Sequence, residues 1–121
     1  MKNFNKLVFS IQNWPYGAVK AATLDFDEKT IEVRNGAGIA FQRGSEFFQA
    51  AKAVCRCKVE SWTSMESPVL EGTVWRLEFY RNEKAVKSVC GINRFPPQFE
   101  EFLQTLTPGF RKLACRGREI F

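Results

Sequence analysis

Trp75-Arg76-Leu77-Glu78-Phe79-Tyr80 sets a large apolar or aromatic side chain at every second position and a charged or polar one between them. A strand sends successive side chains to opposite faces, so this stretch predicts a strand with one buried and one solvated face. After Arg81-Asn82-Glu83 a second strand follows, in which Val86, Ser88, Cys90 and Ile92 share one face. The same order occurs earlier in the chain. Leu24, Phe26, Val33, Gly38 and Ile39 recur 53 positions later as Leu77, Phe79, Val86, Gly91 and Ile92, and Phe47, Ala51 and Val54 recur 52 positions later as Phe99, Leu103 and Leu106. A constant offset through strand-like and helix-like segments suggests a duplicated supersecondary unit.

The other elements follow from the same periodicities. Leu7, Phe9 and Ile11 alternate with Val8, Ser10 and Gln12, and Trp14-Pro15-Tyr16-Gly17 then has the Pro and Gly positions of a type I turn. Ala22, Leu24 and Phe26 form a hairpin with Ile31 and Val33 across Asp27-Glu28-Lys29. Asn35-Gly36 is itself a hairpin signal, leaving either a short strand over Gly38 to Phe41 or a bulge. Ser45 is placed to cap a helix with Phe47, Ala50, Ala51 and Val54 on one stripe, ending near Cys55. Lys58 to Trp62 reads as a short strand. Pro97 suits a first helical position ahead of the stripe Phe99, Phe102, Leu103 and Leu106, which Pro108-Gly109 ends.

The order is βββα twice over. It predicts a single α+β domain of two layers, with tandem βββα units (4–55 and 57–107) forming one antiparallel sheet, two helices on one face and a basic segment 108–121. Leu24, Phe26, Trp75, Leu77 and Phe79 should meet Phe47, Val54, Phe99, Phe102 and Leu106 in the core. At 121 residues, 45% hydrophobic and with twelve Phe, the chain can bury such a core without disulfides. Cys55, Cys57, Cys90 and Cys115 are therefore read as free thiols of a reducing cytoplasm, with no leader and no membrane span in view.

Chemistry is sparsely represented. The chain has no histidine, which removes the usual general base, the commonest metal ligand and every Ser-His or Cys-His pair. Its two aspartates, Asp25 and Asp27, fit one strand and one turn position, and no phosphate-binding glycine loop occurs. Cys55-Arg56-Cys57 lacks the paired knuckles of a four-thiolate zinc site. The expectation is a non-enzyme without cofactor or metal.

Surface features remain. The net charge is +5, and the final segment supplies Arg111, Lys112, Arg116 and Arg118 against Glu119 alone. The sheet face away from the helices should carry Lys6, Arg34, Lys58, Arg76 and Lys87 with Tyr80 and Trp62, interleaved with Asp25, Glu32, Glu60 and Glu78. Carboxylates among the cations repel phosphates, so a solvated, cross-strand paired face is favoured over an RNA-binding sheet. Trp14 and Tyr16, at a rigid turn, are the kind of anchors that interfaces use.

Residues 70 to 103 carry a resemblance. Leu70-Glu71-Gly72-Thr73-Val74-Trp75-Arg76-Leu77-Glu78-Phe79, a hairpin, and Gly91-Ile92-Asn93-Arg94-Phe95-Pro96-Pro97-Gln98-Phe99-Glu100-Glu101-Phe102-Leu103 resemble a group of small, stand-alone bacterial α+β proteins. Their shared pattern is a G-T-x-W-x-L-E strand followed by G-x-N-x-x-P-x-x-F-x-x-F. That group has no assigned function, so the resemblance implies a bacterial or phage-related setting and supplies no catalytic residues.

The expected function is a non-enzymatic protein-binding module that sequesters or occludes a partner protein, as immunity proteins and defence inhibitors do. Trp14, Tyr16, Trp62, Arg76, Tyr80, Arg111, Lys112, Arg116 and Arg118 are the contact candidates. Nucleic-acid binding through the basic segment and a small-ligand (nucleotide) sponge stand as alternatives. A homodimer remains open, and no membrane partner is expected.

Overall fold

The first strand, β1, spans Lys6–Trp14 and lies inside the sheet, paired on both sides. The computed structural model describes residues 3–14, 17–36, 38–65 and 71–108. With β1 it contains β2 (Lys20–Asp25), β3 (Thr30–Asn35), β4 (Gly38–Arg43), β5 (Gly72–Arg81) and β6 (Lys84–Ile92) in one sheet of order β4-β3-β2-β1-β5-β6. All neighbouring pairs are antiparallel. Helix α1 spans Ser45–Arg56, and α2 covers residues 99–108.

Both helices lie on one face of the sheet. Phe47, Ala50 and Val54 of α1 and Phe99, Phe102 and Leu106 of α2 are buried in one cluster with Leu7, Phe9, Leu24, Trp75, Leu77 and Phe79. Phe9 meets Phe102 edge-on at 5.3 Å between ring centroids, and Phe26 meets Phe47 at 5.7 Å. The α+β, two-layer expectation and its predicted core agree with this arrangement.

The unit structure differs from βββα twice: four strands precede α1 and two precede α2. Gly38–Arg43 is a full strand rather than a bulge, because Gly36 at φ 60° allows the chain to reverse and Gly38 to pair with Asn35. The strand expected over Lys58 to Trp62 is a 3-10 turn, Val59–Ser61, entered through Lys58 in the left-handed region. Val59 and Trp62 lie three residues apart, the period at which side chains eclipse in a 3-10 helix, and both are buried. The helix α1 is capped by Gly44, not Ser45, whose hydroxyl donates to Glu46 Oε2 instead. Pro97 precedes α2 as part of a turn, and the Phe99 N–H donates to the Pro96 carbonyl.

The two hairpins β2–β3 and β5–β6 leave β1 in opposite directions across the sheet. Yet β2 and β5 both run antiparallel to β1 and both turn their apolar residues to the helices. Such hairpins are related as mirror images, which no rotation of an L-chain produces while both apolar faces stay inward. The 53-residue offset thus aligns one alternation with another, and residues 4–55 and 57–107 do not occupy equivalent places in the sheet.

The spacing of Gly91 and Asn93 serves this packing. Gly91 sits under Trp75, whose indole Nε1 donates to the Arg94 carbonyl at 2.7 Å. Asn93, at φ 56°, accepts the Thr73 N–H on Oδ1 at 2.9 Å and donates from Nδ2 to the Glu71 carbonyl at 2.8 Å. One side chain thereby ties the end of β6 to the start of β5.

Candidate protein-binding face

Inward-facing residues of every strand are fixed by the core, so their neighbours in sequence form the opposite, open face. Two rows cross it. Ile39, Arg34, Ala21, Ser10, Arg76 and Cys90 stand opposite one another from β4 to β6, and Phe41, Glu32, Thr23, Val8, Glu78 and Ser88 form the next row. Ala21, Ser10, Thr23 and Val8 are short, whereas Arg34 and Glu32 rise on one side and Arg76 and Glu78 on the other. By side-chain length, the middle of the face is lower than its flanks, a shallow trough whose two walls each carry one cation and one carboxylate.

Tyr80 lies beside this trough, opposite Lys6, which in turn faces Asp25. Its hydroxyl donates to Glu78 Oε2 at 2.8 Å, and this bond to a carboxylate, with partial burial, raises the phenol above its ordinary value. Arg76 is exposed in the row of Ser10 and Cys90. Lys6, Arg34, Arg76, Asp25, Glu32 and Glu78 thus share the open face as the alternation implies.

Several candidates are placed elsewhere. Trp62 is 2% exposed and packs against Trp75, Phe99 and Phe102 at 5.5 to 5.9 Å between centroids, so it is a core residue and makes no surface contact. The reason is the 3-10 turn, which drops residue 62 onto the helix side of the sheet. Lys58 and Glu60 belong to that turn rather than to a strand. Lys87 is on the helix side: its ammonium lies 5.8 Å from the Phe79 ring centre and donates to the Glu60 carbonyl at 2.6 Å. A bulge opposite Phe79 and Tyr80 breaks the strand alternation at Val86, so Ser88, Cys90 and Ile92 share the open face without it. Of Trp14 only the backbone is described, opposite Gly72. Tyr16, Arg111, Lys112, Arg116 and Arg118 lie outside the described residues.

Two residues absent from the expected contacts stand out. Phe41 is 64% exposed and Ile39 52%, both on the open face at its β4 margin. Clefts also exist, among them one of about 450 Å³ between Phe4, Phe79, Val86 and Lys87 and one of about 460 Å³ between Lys58, Trp62, Met65 and Pro96. Among the described residues no group of three His, Cys, Asp or Glu side chains is placed to hold a metal ion, and no helix is long and apolar enough to cross a membrane.

The described cysteines are free thiols, Cys55 and Cys90 exposed and Cys57 buried. Burial pushes the Cys57 thiol up from its ordinary value, the Glu101 carboxylate adds to this, and Arg56 opposes it. The same Arg56 bonds Glu101 at 3.0 Å, bridging the end of α1 to α2. At pH 8, Cys55 and Cys90 should be alkylated rapidly by iodoacetamide and Cys57 only after denaturation, as peptide mass spectrometry would read. Because the folded thiol holds its proton more tightly than the unfolded one, this group's contribution to stability is complete below the unfolded pKa and is lost as pH rises through the folded one. Equal labelling of all three in the native protein would contradict the burial.

No family model, curated protein or solved structure matches this chain.

Proposed function

We propose that this chain is a non-enzymatic protein-binding module that occludes or sequesters a partner protein, in the manner of an immunity protein or inhibitor. The observation that carries this reading is the trough on the open sheet face, short in its centre and walled on each side by an arginine and a glutamate. A surface of alternating sign suits a polypeptide of mixed charge and suits a phosphate backbone poorly, since Asp25, Glu32 and Glu78 stand among the cations. Tyr80 beside the trough supplies the aromatic area that interface contacts favour. The bacterial or phage-related setting and a cytoplasmic location belong to the same proposal, the latter supported by the exposed free thiols of Cys55 and Cys90.

The test is capture of a partner from the native host by the full chain, compared with Arg76→Glu and Tyr80→Ala. Both side chains are on the open face, so each variant should melt within about 0.5 kcal/mol of the parent. Captured protein should fall about tenfold or more with either variant. If the parent and both variants retain the same proteins in the same amounts, the trough is not a binding surface. A strongly salt-dependent shift of DNA or RNA that is lost on removing residues 108–121 would favour the nucleic-acid alternative.

A further inference from the structure

The two margins of the sheet are finished differently. Along β6, the Met65 N–H donates to the Cys90 carbonyl at 2.9 Å, the Cys90 N–H donates to Ser64 Oγ at 3.1 Å, and Met65 bridges Gly91. The strand is further guarded by its bulge, by Lys84 and by Lys87. Along β4, no strand or bridge among the described residues occupies the outer edge. Gly38 to Gln42 contains no proline, no bulge and no charge, and it presents the two exposed apolar side chains Ile39 and Phe41. Natural sheets rarely leave such a margin unprotected.

The backbone parity of that margin is set by its turn. Gly38 stands opposite Asn35 and closes a two-residue connection, whose closing pair exchanges hydrogen bonds. Hydrogen-bonded pairs recur at every second residue, so Ala40 and Gln42 direct their N–H and C=O groups to β3. Ile39, Phe41 and Arg43 direct theirs outward. An antiparallel partner strand must match this parity, and β4 matches itself.

We propose that β4 pairs antiparallel with β4 of a second copy about a two-fold axis beside Ala40, setting Ile39 of each copy opposite Phe41 of the other. Charge complementarity selects this register. Because Glu32 stands beside Phe41 and Arg34 beside Ile39, both rows crossing the junction read glutamate, phenylalanine, isoleucine, arginine, with the last two from the second copy. Sliding by two residues would set Phe41 against Phe41, align Glu32 with Glu32 and bring Arg43 into the row of Arg34. A slide by one residue fails on hydrogen-bond parity. Because β6 is bonded to Ser64 and Met65 at Cys90 and interrupted by its bulge, the assembly closes as a dimer with one continuous open face instead of growing into a filament. The inference stands apart from the partner-binding reading, which needs the trough and not the margin.

Light scattering on the full chain at low salt would test it. The mass should rise from 13.9 kDa toward twice that value as concentration increases. Phe41→Lys should hold the protein at the monomer mass with an unchanged circular-dichroism melt. Glu32→Arg alone and Arg34→Glu alone should each weaken association by about tenfold or more. Mixing those two variants should restore the dimer, because E32R chains face R34E chains with opposite charges in both rows. A monomer at every concentration, a dimer indifferent to F41K, or a mixture that stays monomeric would each overturn the proposal. A monomer that still captures its partner through Arg76 would overturn this inference alone.

Discussion

Trp62→Ala is expected to destabilise the protein by about 3–5 kcal/mol, a large share of the roughly 5–15 kcal/mol available to a domain. The indole fills the space between Trp75, Phe99 and Phe102, and its loss leaves a cavity that the rigid sheet cannot close. Thermal unfolding should fall by roughly 4 °C per kcal/mol. Trp62→Phe sharpens the test. The Trp62 Nε1 is buried without a hydrogen-bond partner among the described residues, and an unsatisfied buried donor costs about 1–3 kcal/mol. Phenylalanine removes that donor while keeping most of the ring, so W62F should melt within about 1.5 kcal/mol of the parent. If W62A melts like the parent, Trp62 is a surface contact after all and the 3-10 turn is misplaced.

Gly91→Ala is expected to cost about 2–5 kcal/mol, combining overpacking with a broken hydrogen bond. A Cβ at this position would lie 2.5 Å from Trp75 Nε1 and 2.9 Å from the Arg94 carbonyl oxygen, the two atoms joined by the bond that orients the indole. Neither can retreat easily, because Trp75 is wholly buried and Arg94 follows the Asn93 tie between β5 and β6. Near-ultraviolet circular dichroism should report the displaced tryptophan, and the melting temperature should drop. An unchanged spectrum and melt would show that the strand end gives way freely. The glycine and asparagine of the quoted G-x-N pattern thus have a packing role that accounts for them without any ligand.

Much of this fold is legible from alternation alone. Trp75, Leu77 and Phe79 are inward as their spacing requires, and the stripes Phe47, Val54 and Phe99, Phe102, Leu106 do face the sheet. Period two and period 3.6 are properties of local backbone geometry, so they survive any arrangement of neighbours. The failures are those that local geometry leaves undetermined. Five residues from Lys58 to Trp62 are too few to separate a strand from a 3-10 turn, and only the end of α1 over the sheet edge decides between them. Alternation at Val86 is broken by a bulge that carries no sequence mark of its own.

The candidate face was legible in part. Arg34, Arg76, Glu32, Glu78 and Tyr80 follow from their strands, but that they form two walls around a trough depends on β1 lying between β2 and β5. Hydrophobicity would send Ile39 and Phe41 inward and Ala40 and Gln42 outward. The pairing of Asn35 with Gly38 reverses this, because one turn residue more or fewer flips every side chain of the following strand.

The class, most of the core and the lack of histidine chemistry follow from composition and short-range periodicity. That the matched halves run outward from β1 as mirror images, that Trp62 is buried, and that β4 leaves an apolar margin open follow from the arrangement of the strands. Each of those depends on which strands become neighbours and in which register. That is a long-range choice, made by burying the greatest apolar area under two helices.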